Sequence, residues 1–247
     1  MRATLILGLL VLAFFSQAGN PFASSDDNSG ALQEFSTQVN EFLGKHVRAG
    51  LVDYAGIKSS PAQLNALVSQ VADLRVDGET QSAQKAFYLN AYNVLVIRNM
   101  VDNWPIASPL DKDGFFDKKS WNVAGQSLTL SDLENKLIRP RFEDARIHFA
   151  LVCAAMGCPK LPSEAFDASK LDTQLDRVTR QAMNDSGFTR VNGNKVELSQ
   201  IFNWYRVDFP GNINSDLIPW INKYRSSAIP ASAAVSFYEY DWKANAR

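Results

Sequence analysis

The run from Gln81 to Val101 limits the fold more than any other part of the chain. Read at helical spacing it carries Phe87, Tyr88, Leu89, Tyr92, Val94, Leu95, Val96 and Ile97, so apolar side chains point in almost every direction. A helix of that kind is buried on most sides. The rest of the chain must wrap around it, and Trp104-Pro105 marks its end. Two asparagines, Asn90 and Asn93, interrupt the apolar surface on one face. Asparagine is a poor helix-interior residue, and a buried amide without hydrogen bonds costs about 1 to 3 kcal/mol. Both amides therefore need partners, either in a polar network that locks the helix to its neighbours or in a binding cleft.

Around this helix the periodicity predicts an alternation of elements. Leu32, Phe35, Val39, Phe42 and Leu43 recur at helical spacing, and a second helix opens at Ser60-Pro61 with Leu64, Leu67, Val68 and Val71 on one face. "LVDY" between them reads as a short extended segment. "WNVAGQSLTL" alternates about Ala124-Gly125 as a hairpin, and Ser131 with Glu134 forms a capping-box signature for a helix ending near Arg139-Pro140. "RIHFALVC" reads as a continuous apolar strand at the centre of a sheet. An amphipathic helix from about Ser169 to Met183 follows, then the Asn-Gly hairpin of "FTRVNGNKVEL", helices at "SQIFNWYRVDF" and "DLIPWINKY", and a last strand at "VSFYEYDW". This order argues for one α+β domain over 31–247, with a largely antiparallel sheet packed against several helices.

At the N-terminus, Arg2 precedes an apolar run from Leu5 to Phe15 and the small residues Ser16 and Ala18. That is the layout of a secretory signal over 1–18, with cleavage near Ala18 or, alternatively, near Ala23. The run is too short for a hydrocarbon core that needs about 20 apolar residues, so no membrane span is expected after cleavage. Residues 19–30, rich in Ser, Asp and Asn, read as a flexible tether. The whole chain has 25 basic and 26 acidic side chains, and without Arg2 its formal charge is −2. No basic field exists to hold nucleic acid. The expected location is secreted or periplasmic, an oxidising compartment in which neighbouring thiols pair.

"RIHFALVCAAMGCP", residues 146–159, gathers His148, one of only two histidines, with both cysteines of the chain. Three readings compete. Cys153 as nucleophile with His148 as base needs the two within hydrogen-bond reach. On a regular strand, side chains five positions apart face opposite sides and sit about 16 Å apart. That reading therefore requires the strand to end before Val152. A metal site would need four ligands, and the only other nitrogen donor, His46, continues the apolar stripe of the first helix. No metal and no cofactor is expected. A Cys153–Cys158 disulfide asks only that two Cα atoms lie within about 7 Å, which Ala154, Ala155 and Gly157 make easy.

The ordered motifs "FYLNAYN", "LSDLENKLIRP", "RIHFALVCAAMGCP", "LSQIFNWYRVDF" and "YDWKAN" resemble domain-of-unknown-function family 547, over about Val52 to Asn245. The family pattern is an aromatic-x-Asn-x-Tyr-Asn helix ahead of a His-Phe-Ala-Leu segment with two cysteines and a proline. This chain keeps it as Asn90, Tyr92, Asn93, His148, Cys153, Cys158 and Pro159. Members often have Asn and Gly beside the first cysteine, where this chain has Val152 and Ala154, and a histidine where Asn135 stands. The resemblance brings no agreed activity. The chain order of helix, histidine strand and acidic strand is analogous to papain-like and transglutaminase-like enzymes, with Asn90 or Asn93, His148 and Asp241 in the three places. Fold analogy does not carry function. The candidate site is therefore His148 and Cys153 for catalysis, with Asn90, Asn93, Glu134 and Asp241 for binding. The two functional readings are a non-catalytic cleft for a small molecule, peptide or glycan, and a thiol- or histidine-dependent hydrolase or acyl transferase.

Overall fold

The computed structural model describes residues 25–247, and the expected signal at 1–18 lies outside the described residues. Helix α1 (Ser25–His46) begins within the segment expected to be a tether. Its first turns are held because Asn28 Nδ2 donates to the Arg75 carbonyl at 2.7 Å and to Glu79 at 2.9 Å, and Ser29 Oγ donates to Glu79 at 2.8 Å. A two-residue hairpin, β1 (Val47–Arg48) with β2 (Leu51–Val52), leads to α2 (Tyr54–Ser59) and α3 (Ala62–Asp73).

The all-round apolar run forms α4 (Gln81–Asn103), opened by Thr80, whose side chain accepts from the Ala83 N–H. Sixteen of its residues are buried, Asn90, Asn93 and Asn99 among them. Helices α1, α2 and α3 pack on it from one side and the helical segment after β4 from the other. One contiguous core runs from Leu32 to Tyr240. Each large side chain fully buried there, such as Leu89 or Leu95, contributes about 1.5 to 3 kcal/mol. Among the described residues no helix is long and apolar enough to cross a membrane.

Hairpin β3 (Ser120–Val123) and β4 (Gln126–Thr129) turns at Ala124-Gly125, both at positive φ. The following helix is capped two residues earlier than the sequence suggests. Thr129 and Asp132 form the reciprocal box at the start of α5 (Leu130–Asp132), which leaves Glu134 free of capping. The chain then widens into a π turn (Leu133–Ile138) before α6 (Arg139–Phe142). Pro140 explains the widening: it cannot donate to the carbonyl four residues back and its ring crowds that carbonyl.

The expected central strand is absent. Ala145–Phe149 is a 3-10 helix, nucleated by Asp144, which accepts from the backbone and side chain of Arg146 at 3.1 and 3.0 Å. A short apolar run cannot be assigned to strand or buried helix by periodicity alone, and here the aspartate ahead of it decides. The sheet is also smaller than expected. β-structure divides into the two antiparallel hairpins already described and a mixed sheet of β5 (Thr189–Asn192), β6 (Lys195–Leu198) and β7 (Ala234–Phe237), in which β6 and β7 run parallel. The remaining helices are α7 (Leu171–Asn184), α8 (Ile201–Trp204), which runs into a 3-10 turn (Arg206–Asp208), and α9 (Ile218–Asn222). The class is α+β in a single compact domain, but the helices, not a central sheet, organise the core.

Candidate functional site

The asparagines on α4 come first because they fix the loops that shape the site. Asn90 Nδ2 donates to the Phe166 carbonyl at 2.8 Å and its Oδ1 accepts from the Phe166 N–H at 2.9 Å. Asn93 does the same one turn on, donating to the Ala150 carbonyl at 2.9 Å and accepting from the Val152 N–H at 3.0 Å. Each amide thus completes a backbone pair as a strand neighbour would. Both are 3% exposed or less. They lock the chain segments at Phe166 and Ala150–Val152 onto α4, and neither lines a cavity. These bonds are those of a polar network that locks the helix to its neighbours, one of the two roles the sequence allows.

Because 145–149 is helical and not extended, the parity that separated His148 from Cys153 does not operate. Both line one cavity of about 240 Å³, together with Tyr92 of α4, Glu134 of the π turn, Trp204 and Tyr205 at the end of α8, and Tyr240 and Trp242 of the C-terminal segment. The π turn matters here, since an extra residue per turn re-aims a side chain. Glu134, 8% exposed, faces inward and accepts from the Tyr92 hydroxyl at 3.1 Å. Burial first, and the Glu134 charge second, push the Tyr92 hydroxyl well above its usual range, so it stays a donor. Burial and then Glu134 raise Tyr205 in the same way.

His148 is held on its other side. Its Nε2 lies 2.7 Å from Asp208 Oδ2, and its ring stacks on Tyr205 with centroids 4.2 Å apart. Arg139 completes the group by gripping both oxygens of Asp208, at 2.6 and 3.0 Å, and donating to Asn135 at 2.7 Å. Burial opposes ionisation of Asp208, but hydrogen bonds from His148 and Arg139 outweigh it and hold the carboxyl well below the usual carboxylate range. Nδ1 of His148 makes no hydrogen bond among the described residues. Tyr205 and Asp208 stand three apart across a 3-10 turn, a spacing that stacks side chains on one edge.

Cys153 and Cys158 are paired at disulfide distance, with Cα atoms 6.3 Å apart. The Tyr240 hydroxyl lies 3.2 Å from each sulfur. The loop between the cysteines is sewn to the C-terminal segment: Met156 N–H donates to the Lys243 carbonyl at 2.7 Å and Gly157 N–H to the Asp241 carbonyl at 2.8 Å. A Cβ on Gly157 would come within 3.0 Å of the Tyr240 ring and the Asp241 nitrogen, so this approach depends on glycine. Asp241 itself is exposed, accepts from the Lys243 N–H, and borders a different groove on the far side of the loop. The triad order expected by analogy is therefore not assembled, and Asp208 occupies the place given to Asp241.

That other groove is larger, about 950 Å³, and open, with Lys160, Glu164, Arg177 and Asp185 along it. Four of its charges pair with one another, Lys160 with Asp185 at 2.6 Å and Arg177 with Glu164, while Arg190, Glu239 and Asp241 make no ion pair among the described residues. The smaller cavity is the better site because Glu134, His148 and the Tyr92 hydroxyl converge on it between aromatic walls. His46 is a packing residue, 7% exposed and 5.0 Å from the Phe42 ring. Among the described residues no group of three or more His, Cys, Asp or Glu side chains is close enough to hold a metal ion.

Fold and cavity together define an α+β domain with an aromatic-walled internal site. Residues 76–183 match the family described as Protein of unknown function, DUF547. The matched span holds the asparagine helix, Glu134, His148 and both cysteines but stops before Asp208 and Tyr240. No curated protein and no solved structure matches the chain.

Proposed function

We propose that this is an exported binding domain that takes one side chain or ring of a peptide or glycan into the cavity between Glu134 and His148. A single observation carries the reading: Glu134 is a buried carboxylate with a hydroxyl donor but no ion pair, facing a void. Buried charges are ordinarily paired, and an unpaired one beside a cavity marks where a partner is to come. The volume of about 240 Å³ suits a single group, since drug-sized ligands occupy about 300 to 1,000 Å³. Pairing of Cys153 with Cys158 removes the thiol and supports both the non-catalytic reading and export.

The test is thermal melting of the purified protein against panels of short peptides and oligosaccharides. A ligand at about 100 times its Kd stabilises by about 2.7 kcal/mol, which moves the Tm of a domain this size by roughly 5 to 10 °C. Absence of any saturable shift in either panel contradicts the proposal.

One observation favours the second reading, a thiol-dependent hydrolase or acyl transferase: Cys153 and His148 line the same cavity. In that case reduction would release a thiol that iodoacetamide alkylates rapidly near neutral pH at Cys153 alone, and the reduced protein would cleave activated esters. Slow, equal labelling of both cysteines would end it.

A further inference from the structure

The walls around Glu134 say what kind of group the cavity takes. Trp204, Tyr240 and Trp242 touch one another, with ring centroids 4.8 Å apart for Trp204–Tyr240, 4.8 Å for Tyr240–Trp242 and 5.9 Å for Trp204–Trp242. The first two pairs are tilted at 53° and 54°, whereas the two tryptophans stack nearly parallel at 25°. Tyr240 thus leans against a stacked pair of indoles, and the three rings line the cavity together with Glu134. Aromatic faces carry the negative end of the ring quadrupole and attract a cation within about 6 Å of the centroid.

The charge balance points the same way. Arg139, five residues beyond Glu134, commits all three guanidinium nitrogens to Asp208 and Asn135 and so acts on Glu134 only through space, without a direct ion pair. No ion pair within 4 Å reaches Glu134 among the described residues, and its hydrogen-bonding neighbours are the neutral hydroxyls of Tyr92 and Tyr205. A neutral ligand closing the cavity would strip water from this carboxylate without replacing its counter-charge, at a cost of several kcal/mol. A ligand bearing an ammonium would supply the counter-charge. We infer that the cavity recognises an alkylammonium group, presented as the side chain of a lysine in a peptide, with Glu134 as its ion-pair partner and Trp204, Tyr240 and Trp242 as its aromatic wall. This rests on the binding reading above and names the ligand class for it.

The experiment measures affinity by quenching of tryptophan fluorescence with four probes: Nα-acetyl-lysine amide, its Nε-acetylated form, Nα-acetyl-norleucine amide and glucosamine. The lysine probe is expected to bind at least about tenfold more tightly than the norleucine and Nε-acetyl probes, the ratio a desolvated ion pair with a cation–π contact supports. Glu134→Gln should remove that preference while leaving the norleucine affinity within about threefold, since it deletes the charge and keeps the shape. Trp204, 47% exposed at the cavity mouth, gives a second variant that folding tolerates. Trp204→Leu should weaken the lysine probe more than the norleucine probe. Equal binding of the lysine and norleucine probes, or a lysine preference that survives Glu134→Gln, overturns the ammonium inference but leaves a binding cavity standing. Tighter binding of glucosamine than of lysine overturns the peptide source. If no probe binds, and the peptide and oligosaccharide panels also give no thermal shift, the binding reading itself falls.

Discussion

Helix α4 presents buried polar groups to two neighbours, and the two surroundings treat them in opposite ways. Asn90 and Asn93 each donate to one backbone carbonyl and accept from one backbone N–H, at 2.8 to 3.0 Å. One residue away, the Tyr92 hydroxyl reaches Glu134, where a carboxylate lacks a cation, the nearby His148 ring has one nitrogen without a partner, and a void separates them from aromatic walls. Paired bonds of this kind mark a lock that holds the fold, because each bond broken exposes a buried group at both ends. A carboxylate without a cation beside a void is where the proposed ligand would bind, at some expense of stability.

The contrast is broken most severely at the lock. Asn93→Ala leaves the Ala150 carbonyl and the Val152 N–H without partners, and the two together should cost roughly 2 to 6 kcal/mol. Urea denaturation reads this directly, and a loss under 1 kcal/mol would mean that the asparagine is not the clamp. Next in size is the cysteine pair. Opening a six-residue loop should cost about 2 kcal/mol by the chain-entropy relation. Before that comparison, alkylation under denaturing, non-reducing conditions and mass analysis of the Ile147 to Lys160 peptide should return a blocked pair, and two free thiols would contradict the pairing.

Asp208 tests the electrostatic half of the site. Its folded carboxyl lies below its unfolded value, so it contributes stability above about pH 4 that is lost as the pH falls through the acid range. Asp208→Asn should therefore flatten the acid limb of a stability–pH profile below about pH 4, and cost about 1 kcal/mol at neutral pH for a partly exposed pair. An unchanged acid limb would show that Asp208 is not held by His148 and Arg139. The smallest effect belongs to Glu134→Gln, whose stability should stay within about 1 kcal/mol of the native protein or rise slightly, since an unpaired buried charge is removed. A loss comparable to Asn93→Ala would place Glu134 with the lock.

The same division governs what the sequence made legible. The all-round apolar pattern of Gln81 to Val101 requires a central helix, and the Asn90/Asn93 spacing requires partners on one face; both follow from local periodicity and hold in the structure. The hairpins follow from turn chemistry at Ala124-Gly125 and at the Gly193 loop. "RIHFALVC" misleads because its apolar run fits a buried strand and a buried helical turn equally, and the deciding interaction, Asp144 with Arg146, precedes the run. Glu134 misleads because Ser131-x-x-Glu134 mimics a capping box that Thr129 and Asp132 actually form. Asp208 stands 60 residues from His148, and no local pattern measures that distance. Site residues gathered from five separate segments are set by packing, which periodicity does not encode.

The central claim, that the Glu134–His148 cavity and not the open groove or the asparagine lock is where this protein meets its ligand, can be read from its five tryptophans. Trp204 and Trp242 line the cavity, whereas Trp104, Trp121 and Trp220 do not. Indole N–H resonances of nitrogen-15-labelled protein, followed during titration with lysine-containing peptides, should show Trp204 and Trp242 moving together and saturating while the other three stay in place. Saturable shifts confined to Trp104, Trp121 or Trp220, or binding that leaves all five unmoved, would contradict the account.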